Sequence, residues 1–352
     1  MIPESFDRRI ILIGGPGGVG KTTLAAALGI RFAENGFDTM VLTVDPARRL
    51  ASALGLGQFD SEIQEVQGPW PAHSLFASML ESKRYFDRLI ERFAANEAQK
   101  NKILNNSIYR TLVDSLGGSH EYAAMERLLE FSQDSRYKKI VVDTPPSQNA
   151  VDLLTAPQRL ADFMDNSVLR WFQGSTPRYL QLFKQGTKLA MKVLRRILSA
   201  QFIDSFSKFL EDIDGMQAGF RTRHLQVLEL LRSPQTAFLL VTEATEERFL
   251  ESVAFSNTLR EYSIELSGII LNRISPPCHS SSIEQTHNQE ALPKEALMAL
   301  FSHYQLAYER QQKWIEKFQN AFQTVPLFEL PKTVGGIHEV VSLSKMGHYL
   351  IS

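Results

Sequence analysis

The stretch that decides the fold is Gly15-Pro16-Gly17-Gly18-Val19-Gly20-Lys21-Thr22-Thr23. It follows an apolar run over residues 9–13, which predicts a buried strand, and it precedes residues 24–32, which predict a helix. Strand, glycine-rich loop and helix in this order form a P-loop, in which backbone N–H groups and the positive end of the helix surround a phosphate. We therefore expect the protein to bind a nucleoside triphosphate. The alternative, a chance glycine-rich turn, does not explain the flanking strand and helix.

Each residue type in the loop has a chemical role. Glycines allow the backbone to curl around a phosphate without clashes from Cβ atoms. Lys21 is expected to reach the outer phosphates and to act in catalysis, and the Thr22 hydroxyl is expected to ligate Mg²⁺. The predicted nucleotide-binding residues of the loop are Gly15, Gly17, Gly18, Val19, Gly20, Lys21, Thr22 and Thr23.

Composition narrows the class of protein. The chain has 352 residues, 43% hydrophobic and 22% charged, with a formal net charge of −1. That charge argues against binding nucleic acid and allows at most a peripheral membrane contact. The one cysteine, Cys278, fits a reducing compartment. No apolar run approaches the length of a transmembrane helix, and residues 1–7 have no signal-peptide character. We expect a cytoplasmic protein.

Further apolar runs predict strands over residues 39–44, 138–142, 236–242, 266–271 and 324–328, with helical patterns between them. Strands of this kind alternate with helices in a mostly parallel sheet that is covered on both faces. The predicted fold is therefore α/β, a P-loop NTPase with flanking helices. Functional side chains should gather at the carboxyl ends of the strands.

Two long segments, residues 59–137 and 151–233, interrupt this alternation and are predicted to be helical. We expect them to form one helical subdomain on an ATPase core made of residues 1–58, 138–150 and 234–352. An apolar stripe that includes Phe202, Phe206 and Phe209 is expected to be the core of this subdomain, or alternatively to line a groove for a client. The basic side from Lys184 to Arg196 is expected to face solvent, with a membrane surface or an acidic partner as the alternative.

Two acidic residues end predicted strands. Asp143 has the position of an aspartate that organises Mg²⁺ through its water shell. Asp45, followed by Pro46-Ala47, is placed to orient the attacking water. The alternative for Asp45 is a helix N-cap for the segment that begins near Arg48, and both roles are compatible.

These motifs together give a family resemblance. The pattern of residues 15–23, Asp45-Pro46-Ala47 and Asp143-Thr144-Pro145-Pro146 resemble the arsenite-pump (ArsA-like) ATPase family, which includes the targeting factor for tail-anchored membrane proteins. The stretches 241–243, 270–273 and 325–328 extend the resemblance over nearly the whole chain. It is strongest to single-domain bacterial members of that family.

The resemblance implies several functional features. It implies ATP rather than GTP, with Asn272 at the adenine edge and Arg273 in the same nucleotide-binding segment. It implies Asp45 as the water-orienting acid of switch I and residues 143–149 as switch II. It also implies a homodimer that encloses the nucleotides, and helical subdomains that form a hydrophobic groove for a client.

Three departures limit what can be transferred. Members of this class place a second lysine directly after the first glycine of the loop, and here that position is Pro16. Arg48 or Arg49 is our expected replacement for that cation, with a solvated helix face as the alternative. The paired cysteines that bind zinc or arsenite are missing, and Cys278 with His279 and His287 offers too few ligands for a metal site. The switch II glycine and histidine of the targeting factor are replaced around Ser147-Gln148-Asn149.

The expected function is therefore an ATP-hydrolysing, Mg²⁺-dependent dimeric switch that couples its nucleotide state to an unidentified cargo or partner, for which a hydrophobic protein segment is one candidate. The alternative is a partner-regulated nucleotide-binding module with negligible hydrolysis. A subunit of a metalloid pump is disfavoured by the cysteine count.

Overall fold

The computed structural model describes residues 2–44, 49–56, 63–71, 74–79, 82–110, 119–144, 205–206, 208–209, 211–213, 216–277, 294–333 and 340–351. After a short 3₁₀ helix at Glu4–Phe6, the strands are β1 (Ile10–Gly14), β2 (Thr39–Thr43), β3 (Gln64–Glu65), β4 (Leu75–Met79), β5 (Lys139–Asp143), β6 (Thr236–Thr242), β7 (Leu266–Ile274) and β8 (Leu327–Pro331). The helices are α1 (Lys21–Glu34), α2 (Arg49–Ala53), α3 (Ser82–Phe93), α4 (Glu97–Asn105), α5 (Ser119–Gln133), α6 (Gln217–Arg232), α7 (Glu246–Glu261), α8 (Lys294–Ala321) and α9 (Val340–Leu350).

The described strands form one sheet in the order β3-β4-β2-β5-β1-β6-β7-β8. Neighbouring strands are parallel, except that β3 is antiparallel to β4. This architecture confirms the predicted α/β fold with a mostly parallel sheet. Because β1 lies between β5 and β6, the loop that follows β1 is at the centre of the carboxyl edge.

The central strands β1, β2 and β5 are buried on both faces. Ile11 and Ile13 of β1 belong to a core that also contains the inner side of α1 and part of α9. Ile10 and Leu12 point to the other face and are equally inaccessible to solvent. Strands buried on both sides need apolar residues at every position, and this explains the continuous apolar runs in the sequence.

Helix α1 packs between the sheet and α9. A side chain at Gly347 of α9 would collide with the backbone carbonyl of Ala27, so the two helices approach closely at a point where only glycine fits. The Arg31 Nε group of α1 also donates to the carbonyl oxygen of Ile351 at 2.8 Å. The second half of the helix that begins at the P-loop is therefore held against α9.

The structure corrects several predicted element boundaries. Strand β7 continues three residues beyond the predicted end, so Asn272 and Arg273 lie inside it rather than after it. Strand β8 begins three residues later than predicted. Strands β3 and β4 lie within the segment 59–137 that was predicted to be helical. The predicted N-cap of α7 is present, because the Thr245 hydroxyl accepts a hydrogen bond from the Arg248 backbone N–H.

The chain divides into two compact units, the first of which contains the sheet: Met1–Met79, Glu130–Val151 and Leu231–Ser352. The second unit, Leu80–Leu129 and Asp152–Leu230, is helical in its described residues. The first boundary between the units lies after β4, beyond the predicted boundary at residue 59.

The helical unit has its own buried polar contacts. The Arg223 guanidinium donates to the Glu126 carboxylate at 2.7 Å, and both side chains are inaccessible or nearly so. The Tyr109 hydroxyl donates to Asp87 at 2.8 Å. Phe209 is buried, as expected for a core residue, whereas Phe202 and the basic segment 184–196 lie outside the described residues. Within the described part of the chain, no helix has the length and apolar character needed to cross a membrane.

Candidate nucleotide-binding site

The P-loop joins the end of β1 to the start of α1. Gly15 has φ +147°, and a Cβ atom there would overlap the Val241 carbonyl oxygen on β6. Gly20 is the N-cap of α1 in the left-handed conformation, with φ 97°, and its missing Cβ leaves room for the Asn272 amide. Glycine is required at both positions because an L side chain would be strained and would clash. The first turn of α1 contains no acidic residue, so its positive end can face an anion.

Lys21 is the first residue of α1 and is 7% exposed. Its Nζ atom donates to the carbonyl oxygens of Gly15 at 2.9 Å and Pro16 at 2.7 Å. The ammonium group therefore lies over the loop itself, within the ring of backbone groups expected to surround a phosphate. Pro16 takes part only through its backbone oxygen, since its side chain carries no charge.

Asp143 is the last residue of β5 and is 1% exposed. Its Oδ2 atom accepts two hydrogen bonds, from the Thr22 hydroxyl at 2.8 Å and from the Thr43 hydroxyl at 3.0 Å. Thr22 and Asp143 are predicted from the sequence to act at the same magnesium site, and the structure brings them into direct contact. Thr43 is not among the predicted site residues, because its only signal is a hydroxyl side chain near the end of a predicted strand.

The backbone around Asp143 is fixed on both sides. The Val44 N–H donates to the Asp143 carbonyl oxygen at 3.2 Å, and the Thr144 hydroxyl donates to the Ile13 carbonyl oxygen at 2.8 Å. Because β2 and β1 both hold this strand end, the carboxylate is presented from a rigid edge of the sheet.

Asn272 connects β7 to the P-loop. Its Nδ2 atom donates to the Val19 carbonyl oxygen at 2.7 Å, and its Oδ1 atom accepts the Arg273 N–H at 2.8 Å. The side chain is 7% exposed. An amide NH₂ group has two protons, so Asn272 can hold the loop and still donate to the edge of a base.

Arg273 has a left-handed backbone, with φ 59°, at an irregular part of the β7–β8 pairing. Its guanidinium pairs with Glu243, which directly follows β6, at 2.6 Å. Gln311 of α8 accepts from the Ser275 N–H and donates to the Arg273 carbonyl oxygen, so this strand end is tied to α8. Glu243 was not predicted as a site residue, although it also follows a strand at the carboxyl edge.

The predicted residues thus fall into two groups. The described group meets at one edge of the sheet and consists of Gly15, Gly17, Gly18, Val19, Gly20, Lys21, Thr22, Thr23, Asp143, Asn272 and Arg273. Asp45, Arg48, the side chain of Arg49, the switch II residues after Thr144 and the cluster of Cys278, His279 and His287 lie outside the described residues.

The donor set next to the loop suits magnesium. The Thr22 hydroxyl and the Asp143 carboxylate are hard oxygen donors, and Mg²⁺ prefers few protein ligands together with phosphate oxygens and water. The residues present therefore fit the ion that the sequence analysis implied.

Three features define the class of P-loop nucleotide-binding proteins. They are a buried strand β1, a glycine-rich loop followed by a lysine at the start of a helix, and a strand-end aspartate that is hydrogen-bonded to the loop threonine. The profile of the anion-transporting ATPase family, the ArsA type, matches residues 8–352. The chain belongs to this family of ATPases, as its sequence motifs indicated.

Named relatives agree with this assignment. The chain is similar to ATPase GET3B of Arabidopsis thaliana, with 27% identity over 307 residues that cover 81% of this chain and 70% of the relative. It is similar to ATPase get3 of Aspergillus niger, with 24% identity over 361 residues, covering 98% and 90%. It is also similar to the putative arsenical pump-driving ATPase 1 of Aquifex aeolicus, with 21% identity over 353 residues, covering 96% and 76%.

Proposed function

We propose that this protein is a Mg²⁺-dependent ATPase that uses ATP binding and hydrolysis as a conformational switch. The observation that carries the proposal is the contact of Thr22 with Asp143 beside the buried Lys21 amine. A hydroxyl, a carboxylate and a cation at a helix start form the set that holds a triphosphate and its metal ion. When bound, Mg²⁺ neutralises charge on the phosphate oxygens.

The chain's own residues have separate tasks in this proposal. The loop N–H groups and Lys21 bind the phosphates, and Asn272 and Arg273 bind the nucleoside end. Asp143 orients the magnesium water shell from its fixed strand end. Asp45, two residues beyond β2, orients the attacking water.

Two variants test this proposal with the purified protein. Lys21→Ala should abolish tight nucleotide binding in calorimetry, because Lys21 is the cation of the P-loop, whereas Lys313→Ala on exposed α8 should bind as the wild type does. Asp45→Asn should keep the ATP affinity within a few-fold and slow hydrolysis at least about a hundredfold, the scale of losing a positioned water. Micromolar nucleotide affinity in Lys21→Ala would contradict the proposal, and equal losses of binding and turnover in Asp45→Asn would make Asp45 structural.

A second candidate function is a partner-regulated nucleotide-binding module with negligible hydrolysis. The observation that favours it is Pro16, which supplies no side-chain charge at the phosphates. ATP turnover measured with the protein alone and after addition of cell lysate separates the two candidates. Turnover that appears only with lysate supports the second one.

We also propose that the protein acts in the cytoplasm as a homodimer and that its client is a protein, such as a hydrophobic segment. The family resemblance supports the dimer, and it also implies that the helical subdomains form the groove for a client. Light scattering with a non-hydrolysable ATP analogue tests the dimer, and a monomer under these conditions contradicts it. The client is sought among proteins that co-purify with Asp45→Asn in the presence of ATP.

We do not propose a metalloid-stimulated pump subunit for this chain. One cysteine cannot build a soft-metal site, because such sites take several thiolates. ATP turnover should therefore be indifferent to arsenite, antimonite and zinc chelators, and strong stimulation by a trivalent metalloid would contradict this.

A further inference from the structure

Thr43 is buried next to Asp143, the aspartate of the proposed magnesium site. It is the last residue of β2, it is 1% exposed, and it is the direct register partner of Asp143 on β5. In adjacent parallel strands, paired residues point to the same face of the sheet. Thr43 and Asp143 therefore share the face on which α1 carries Thr22.

The two threonines hold one oxygen of the aspartate from different elements. Thr22 donates to Asp143 Oδ2 from the first turn of α1 at 2.8 Å, and Thr43 donates to the same atom from β2 at 3.0 Å. Two donors on one oxygen fix the rotation of the carboxylate group and leave the direction of its other oxygen defined. Thr22 moves only with the P-loop helix, whereas Thr43 moves with the sheet.

Thr43 also connects the aspartate to the segment that carries the proposed water-orienting acid. The residue after it, Val44, donates its N–H to the Asp143 carbonyl oxygen, and Asp45 follows directly. Side chain and backbone of residues 43–44 thus tie the end of β2 to Asp143 at two points.

We propose that Thr43 is a positioning residue of the nucleotide site: its hydroxyl orients Asp143 for the Mg²⁺ water shell and couples that carboxylate to the strand leading to Asp45. The inference rests on the proposed nucleotide-binding function. The competing account is that Thr43 is a β-branched residue that only fills space at the end of a buried strand.

Two substitutions at Thr43 separate the effect of its hydroxyl group from the effect of its side-chain shape. Thr43→Val keeps the branched shape and removes the donor, and Thr43→Ser keeps the donor and removes a methyl group. Thr39→Val is the matched control, because Thr39 is a buried threonine on the same face of β2, at the other end of the strand. Its hydroxyl donates to the Phe37 carbonyl oxygen and not to Asp143.

The measurement is the Mg²⁺ concentration that gives half of the fluorescence change of bound N-methylanthraniloyl-ADP, together with the affinity for this nucleotide in EDTA. We expect Thr43→Val to raise that Mg²⁺ concentration about tenfold and to keep the EDTA affinity within about twofold, since only the metal site loses a bond to a charged group. Thr43→Ser and Thr39→Val should stay within about twofold in both measurements.

The inference is overturned if Thr43→Val needs the same Mg²⁺ concentration as the wild type. It is also overturned if Thr43→Ser raises that concentration as much as Thr43→Val does, because the effect would then come from the shape of the side chain and not from its hydroxyl. If Thr43→Val does not fold, Thr43→Ala carries the same comparison with the same two contradicting results. If nucleotide binding by the wild-type protein does not depend on Mg²⁺, the proposed function is overturned as well. Failure of the inference about Thr43 is thus distinguishable from failure of the proposed function.

Discussion

Asn272 and Val19 are 253 residues apart in the sequence, and a 2.7 Å hydrogen bond joins the Asn272 side-chain amide to the Val19 carbonyl oxygen. The bond is buried and links the end of β7 to the middle of the P-loop. Its position means that one side chain can serve both the base and the phosphate end of a nucleotide.

Asn272→Ala is expected to weaken both ATP and GTP binding, because the P-loop loses its tie to β7. ATP should lose about tenfold more affinity than GTP if the remaining amide proton of Asn272 reads the adenine edge, the scale of one good polar contact. Calorimetry with both nucleotides measures the two losses. Asn257→Ala on the exposed side of α7 is the control. Equal losses of ATP and GTP affinity in Asn272→Ala would mean that Asn272 only holds the P-loop in place and does not contact the adenine.

The missing lysine at Pro16 leads to a prediction about Arg48 and Arg49. A supplied cation contributes on the order of 10³ or more to phosphoryl transfer. We expect either Arg48→Ala or Arg49→Ala to slow single-turnover hydrolysis about a hundredfold, and Pro16→Lys to restore part of the rate in that background. Arg310→Ala on exposed α8 is the control. If neither arginine variant slows the chemical step, the second candidate function becomes the better account.

The Tyr109–Asp87 contact predicts a pH-dependent stability of the helical unit. Burial, and then the hydrogen bond to the Asp87 carboxylate, raise the pKa of Tyr109 above its ordinary value near 10. A pKa raised by folding adds stability that is complete below the unfolded pKa and is lost as the pH rises beyond it. Tyr109→Phe should lower the free energy of unfolding by about 1–2 kcal/mol at pH 8, and this difference should shrink towards pH 11.

Urea unfolding followed by circular dichroism at several pH values measures this difference. The control is Tyr349→Phe, since Tyr349 is 70% exposed. A difference that grows at alkaline pH would have the wrong sign for this explanation.

The buried ion pair of Glu126 and Arg223 predicts a large, asymmetric effect. Arg223→Met leaves the Glu126 carboxylate charged and buried, and should cost about 3–5 kcal/mol of unfolding free energy. The double variant Glu126→Leu/Arg223→Met should recover most of that loss, because both charges of the pair are then removed. Urea unfolding measures both, and Arg248→Met, which breaks a partly exposed pair with Glu251, should cost less than about 1 kcal/mol. A loss below about 1 kcal/mol in Arg223→Met would contradict this explanation.

The parts of the site that could be predicted are those whose signal is local. Residues 15–23 carry the P-loop in one continuous stretch, and Asp143 could be found because it ends an apolar run of β-branched residues. Thr22 and Asp143 could be assigned to one magnesium site, because the P-loop follows one strand, Asp143 ends another, and the carboxyl ends of parallel strands meet at one edge. Their direct hydrogen bond was not predicted.

The parts that could not be predicted depend on pairings between distant segments. Thr43 becomes a partner of Asp143 only because β2 and β5 are neighbours in that register, and no periodic pattern contains this information. Strand β4 was missed for a different reason. Its sequence, Leu75-Phe76-Ala77-Ser78-Met79, has no β-branched residue and suits a helix equally well, so its neighbour β2 decides its conformation.

The central position of β1 has a consequence for how the chain is made. Ile10 pairs with Ile140 on one side and with Thr236 on the other. On the ribosome, β1 therefore gains its first neighbour strand when residues 139–143 have emerged, and its second only when residues 236–242 have emerged. Long-range pairing of this kind folds slowly and leaves apolar strand edges exposed in the meantime. Nascent chains of this protein should thus depend on protection by chaperones until β6 has been synthesised.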